Sequence, residues 1–186
     1  MSVTNDLFWL AGFTEADGSI CIHRYNRENG SERIATTIVL TNCDPNIINA
    51  IDAMTRKYMD IKMYVVERRP DKKNHAKNYQ LTITSYADCY KFCKMVVPYM
   101  RGTKRAIGCL MMRFLESRGV KTKESKMIRQ PYTTTEKNIY KQAKQLQQRG
   151  VDKKLLHTSE TASKTLLIRS DDTVRARDES TRDEQK

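Results

Sequence analysis

Two stretches rich in β-branched residues, SICIHRY and RIATTIVLT, flank NRENGSE, whose Asn29-Gly30 pair is a strong short-range signal for a hairpin turn. No other feature constrains the fold as tightly, because a hairpin makes its strands antiparallel neighbours and alternation then fixes which residues share a face. In RIATTIVL, Ile34, Thr36, Ile38 and Leu40 fall on one face and Arg33, Ala35, Thr37 and Val39 on the other. In the first strand Ile20 and Ile22 oppose Cys21, His23 and Tyr25. A second pair, IKMYVVERR and KNYQLTIT, is joined by the polar loop PDKKNHA. There Tyr79, Leu81 and Ile83 oppose Asn78, Gln80 and Thr82, while IKMYVVERR leaves its register open and presents one of Arg68 and Arg69 either way.

Helical patterns separate the hairpins. Thr4, Asn5 and Asp6 offer N-cap oxygens, and Leu7, Leu10, Ala11 and Phe13 follow at helical spacing, predicting a first helix from about Asn5 to Ala16. Asp44 and Pro45 open a second, with Ile47, Ile48, Ile51, Met54 and Tyr58 on one face. SYADCYKFCKMVV begins a third with Ser85 and Asp88 in capping-box positions, and Pro98 ends it. TKRAIGCLMMRFLES reads as a fourth, and TEKNIYKQAKQLQQRG after Pro131 as one more. The class is α+β: an antiparallel sheet with its helices gathered on one face.

That leaves the sheet's other face for something else, and charge suggests what. The chain has 34 Lys and Arg against 22 Asp and Glu, a net +12. From His157 onward six basic and seven acidic residues leave +13 on residues 1–156. A globular part this basic points to a polyanion, most often nucleic acid. The polar faces supply Cys21, His23, Tyr25, Arg33, Thr37, Asn78, Gln80 and Thr82, with Arg68 and Arg69. Such side chains reach base edges and phosphates in a major groove, which admits a β-ribbon. Without the charge, an ordinary wet sheet face would be the better reading.

Other classes find no support. The five cysteines contain no CxxC pair, and no His or Cys cluster has zinc-ligand spacing, so the expectation is reduced thiols in a reducing, intracellular compartment. Glycine-rich phosphate loops are absent. No apolar run approaches a membrane span and no secretion signal is evident, so no membrane partner is expected.

The stretch WLAGFTEADGSI poses its own problem. A glycine inside a helix costs about 1 kcal/mol relative to alanine, so Gly12 needs a use. Gly12 and Ala16, with Ala11 beside them, form a small-residue strip that lets a second copy of the helix approach closely. Two copies about a two-fold axis would bring together two Asp17 carboxylates and two sets of unpaired helix carbonyls. Concentrated hard oxygens of that kind suit Mg²⁺, which polarises a phosphoryl oxygen and activates water.

LAGFTEADG, Leu10 to Gly18, resembles the motif of the LAGLIDADG homing endonucleases, with identity at Leu10, Ala11, Gly12, Ala16, Asp17 and Gly18. The strand, hairpin and helix order from about Asn5 to Ser117 is similar to that family's αββαββα core. The resemblance implies a saddle-shaped sheet on DNA and a single-motif chain working as a homodimer on a long, near-palindromic double-stranded site. It implies Asp17 and the Ala16 carbonyl as ligands of Mg²⁺, with Mn²⁺ as a substitute. It also implies Asn42, in LTN, as a water-placing residue. In PYMRGTKR the family's first lysine is replaced by Thr103, leaving Lys104 to support the transition state. Residues 1–130 would form the endonuclease core, 131–156 a helical extension and 157–186 a polar, mobile tail. The alternative is a non-cleaving relative, either an intron RNA-splicing maturase or a DNA-binding regulator.

Overall fold

In the computed structural model the described residues are 2–26, 28, 30–68, 77–120 and 131–148. The first helix, α1 (Val3–Asp17), begins two residues earlier than its sequence suggested, because Ser2 and not Thr4, Asn5 or Asp6 caps it, accepting from the Asn5 N–H. The chain then runs through β1 (Gly18–Asn26), β2 (Glu32–Asn42) and α2 (Pro45–Met59). Next come β3 (Tyr64–Arg68), β4 (Asn78–Ile83) and α3 (Tyr86–Val96). A 3₁₀ turn (Val97–Tyr99) leads to α4 (Thr103–Ser117), and α5 (Thr134–Gln147) follows.

Local chemistry explains most boundaries. Asp44 caps α2 by accepting from the Asn46 N–H at 2.8 Å, and Pro45 occupies the first turn, where no N–H is needed. Ser85 caps α3. Thr133 and Glu136 form a reciprocal capping box at the start of α5. In the first hairpin Gly30 takes φ 75, a conformation that favours glycine.

The four strands form one antiparallel sheet in the order β1-β2-β4-β3, so the two hairpins join where β2 pairs with β4. The helices cover one face, with Ile20, Ile22, Ile34, Ile38, Leu40, Leu81 and Ile83 buried beneath them. Cys89 and Cys93, one helical turn apart on α3, are both fully buried there. On α1 the buried residues are Leu7, Leu10, Ala11 and Thr14. Phe13 is half-buried, packs against the core and stacks on Trp9 at 5.6 Å, while Thr14 takes the fully buried position with its hydroxyl donating to the Leu10 carbonyl at 2.7 Å.

β2 outruns its partner: pairing with β4 stops at Ile38, and the exposed edge beyond it is closed by tyrosines. Tyr132 Oη accepts from the Ile34 N–H at 2.9 Å, and the Tyr86 and Tyr132 hydroxyls both donate to the Ile34 carbonyl. α5 packs on α4 and β1, tied down by a buried Arg118–Glu136 ion pair at 3.5 Å. Among the described residues no helix is long and apolar enough to cross a membrane. The predicted tail, 157–186, lies outside them, as does Arg69.

Candidate functional site

The tip of α1 gathers most of the chemistry. Gly18 bends the chain directly from helix into strand, with φ −88 and ψ 170 and its N–H still bonded to the Thr14 carbonyl. A Cβ there would lie 2.7 Å from the Thr14 oxygen and 2.8 Å from Leu40 Cδ2, so only glycine permits so abrupt a junction. Asp17 is therefore both the last residue of the helix and the immediate neighbour of the sheet. Its side chain and Ala16 are exposed. Thr41 of β2 donates to the Asp17 carbonyl at 3.2 Å.

A helix ending on an acid needs a positive charge at its tip, and the chain supplies one. Lys104, in the first turn of α4, donates from Nζ to the carbonyls of Thr14 at 3.1 Å, Glu15 at 2.6 Å and Ala16 at 3.3 Å. This corrects the expectation of unpaired carbonyls at the tip: three accept from an ammonium within the same chain. Burial pushes Lys104 below the ordinary lysine value, opposed by the negative charges of Asp17 and Glu15 and by Cys21. Glu15 looks the other way, its Oε1 accepting from the Arg101 N–H at 2.7 Å and from the Gly102 N–H.

Two further expectations are corrected. Asn42 has the same strand parity as Ile38 and Leu40 and so faces the helix side; its Oδ1 accepts from the Asp44 N–H at 2.9 Å, holding the approach to α2. Alternation puts Thr41, one residue earlier, on the polar face beside Asp17. Ala11 is 1% exposed, in the chain's own core, and is not available to a second copy. The exposed strip of α1 is instead Gly12 and Ala16 flanked by Phe8 (54% exposed) and Trp9 (42%). A Cβ at Gly12 would meet nothing within 4 Å. Sequence reasoning passed over Phe8 and Trp9, although two adjacent aromatics beside a glycine strip were a usable signal.

On the sheet's open face, the ladders set Tyr25 opposite Arg33, His23 opposite Ala35 and Cys21 opposite Thr37. Val39 stands opposite Thr82, and Thr41 opposite Gln80. The open register of β3 resolves with Tyr64 opposite Thr82, Val66 opposite Gln80 and Arg68 opposite Asn78. Apart from Arg68, which is placed by backbone register alone, and Arg69, which lies outside the described residues, the polar residues expected on this face are thus brought together in one array, to which the structure adds Ser19, Thr41, Tyr64 and Val66. His23 and Tyr25 stack at 6.1 Å, and the Arg33 guanidinium lies 5.8 Å from the Tyr25 ring. Gln80 donates to Thr82 Oγ1 at 2.8 Å.

Among the described residues no group of three or more His, Cys, Asp or Glu side chains could hold a metal ion. What one chain offers at the α1 tip is the exposed Asp17 carboxylate and the Ala16 carbonyl. These are hard oxygen donors, which fit Mg²⁺ in kind and fall short of its six ligands in number. A second copy, water and phosphate oxygens are the remaining sources of the same chemistry.

No family model matches the sequence, and no curated protein matches it. The fold does have solved counterparts. The archaeal intron-encoded homing endonuclease I-Vdi141I complexed with DNA aligns with a TM-score of 0.58 at 13% identity, over 89% of this chain and 99% of that one. The LAGLIDADG homing endonuclease I-LtrWI bound to target DNA aligns at 0.52 and 12% identity, over 83% of this chain and 48% of that one. The homing endonuclease I-TnaI aligns at 0.50 and 15%, covering 83% and 96%. The α+β architecture is therefore consistent with that of LAGLIDADG homing endonucleases.

Proposed function

We propose that the chain is a site-specific, double-strand DNA endonuclease that works as a homodimer with α1 at its axis. The observation that carries this reading is the placement of an exposed Asp17 at the foot of a polar sheet face, on a helix whose outer strip is Gly12 and Ala16. The sheet grips the major groove, with Arg33, Gln80 and Asn78 facing bases and phosphates. Two α1 helices packed through their small residues bring both tips to the centre of a near-palindromic site. The overlay of this chain on about half of I-LtrWI supports a second copy as the source of the other half.

Asp17 and the Ala16 carbonyl of each copy would hold Mg²⁺, for which Mn²⁺ would substitute; when bound, such an ion polarises a phosphoryl oxygen and lowers the pKa of water. Lys104 keeps a positive charge beside the phosphate, where negative charge grows as the bond breaks. Thr41 holds the backbone carbonyl of Asp17 at the junction of helix and sheet.

A second reading is favoured by one observation: Lys104 already sets a positive charge against the α1 tip carbonyls, so their negative end does not by itself call for a metal. That suits a non-cleaving DNA- or intron RNA-binding protein of the same architecture. Asp17→Asn separates the two. On a duplex site selected from a random library, the endonuclease reading expects binding in Ca²⁺ to be retained and Mg²⁺-dependent cutting to fall by roughly 10²-fold or more. Undiminished cutting by the variant, or cutting in EDTA, overturns the metal-site assignment.

A further inference from the structure

α4 begins without a side-chain cap of its own, at Gly102. The missing acceptor comes from another helix: Glu15 Oε1 takes the N–H groups of both Arg101 and Gly102. A Cβ at position 102 would approach that oxygen to 3.2 Å, so the glycine leaves room for the carboxylate. Two residues further on, Lys104 reaches back to the carbonyls of Thr14, Glu15 and Ala16. Each helix end is thereby capped by a charge from the other, an anion at an N-terminus and a cation at a C-terminus, as helix dipoles favour. The ring closes on one residue, since Glu15 accepts through its side chain at one end of the exchange and through its carbonyl at the other.

We propose that Glu15 is a positioning residue for Lys104: it pins the start of α4 against the α1 tip and so selects the one lysine conformation that sets the ammonium beside Asp17. A lysine stem has many rotamers, and three carbonyl acceptors in a row are reached only if the Cα of residue 104 is fixed at the right height. The Glu15 tie does that without itself meeting DNA. The idea rests on the endonuclease reading for its catalytic consequence and on the described contacts alone for the brace.

The experiment compares wild type with Glu15→Ala, which removes the accepting oxygen and the charge, and Glu15→Gln, which loses the charge and keeps one amide oxygen as acceptor. Acylation of Lys104 by an amine-reactive ester, followed by mass spectrometry, reads the brace and needs no enzymatic activity. It should quicken about fivefold or more in E15A, with E15Q between. In Mg²⁺, E15A should lower kcat for the selected duplex about tenfold with KM nearly unchanged. Lys104→Met should show a comparable loss, and E15A/K104M no further one, since the two residues act as a unit. Unchanged Lys104 acylation in both Glu15 variants overturns the proposal, as does multiplication of the two single losses. If E15A does not fold, the E15Q acylation rate decides alone. A wild-type protein that cuts no DNA counts against the endonuclease reading, and the acylation result still judges the brace.

Discussion

Gly12 and Gly18 lie six residues apart and serve opposite ends. At Gly18 a methyl group collides with the Thr14 carbonyl and Leu40, both fixed parts of the core, so Gly18→Ala should destabilise the fold by about 1–3 kcal/mol, read from urea unfolding. At Gly12 a methyl group meets open space, so Gly12→Ala should stabilise the isolated chain by about 1 kcal/mol through helix propensity. If α1 packs against its own copy, the same methyl group holds the two backbones apart, and the dimer should dissociate more readily. Sedimentation equilibrium beside dilute-protein unfolding tests this pairing of opposite signs. A Gly12→Ala protein that dimerises as well as wild type removes the glycine strip from the interface. Asn42 and Thr41 teach the same lesson at this scale: a motif places a polar residue after a strand, but strand parity decides which of two neighbours faces the site.

At the level of elements, strand faces and most helix starts were legible, because alternation and caps are local. Ile34, Thr36, Ile38 and Leu40 fell on the core face as alternation requires, and Asp44-Pro45 opened α2. Illegible were the caps supplied from afar: Lys104 lies 90 residues from the Thr14 carbonyl it serves, and Lys91 donates to the Met59 carbonyl at the end of α2 from 32 residues away. No window-based signal encodes such pairs, and this is why the α1 tip was expected to be bare. The tyrosine closure of β2 is of the same kind and has a consequence at high pH. Burial, aided by Tyr132 and opposed by Arg33, pushes the Tyr86 hydroxyl up to about 12 from 10.0, and burial pushes the Cys89 thiol to about 12 from 9.0. Both groups ionise more readily in the unfolded chain than in the folded one. Their contribution is thus complete below pH 9 and is lost as pH rises from 9 towards 12. Urea midpoints should fall across that window, less steeply for Tyr86→Phe. At pH 7 that variant should lose about 1 kcal/mol at most, since the Tyr132 hydroxyl stays on the Ile34 carbonyl at 3.3 Å.

At the scale of the molecule, two surfaces meet no partner among the described residues: the polar sheet face and the exposed side of α1. A monomer has little reason to leave Phe8 and Trp9 in water on a helix already buried along its other side, while two copies joined there would carry twice the net charge of +12 onto one ligand. Such an assembly is predicted to bind duplex DNA with a steep salt dependence, because each neutralised phosphate releases condensed counterions. With three or more phosphates met by each copy, affinity should drop about 10³-fold between 50 and 200 mM salt. Fluorescence anisotropy on a labelled duplex, with the stoichiometry fixed at two chains per site, gives the slope. A protein that binds as one chain would show about half of it, and a salt-indifferent complex would mean that the basic surface serves solubility and the sheet face recognises something other than a polyanion.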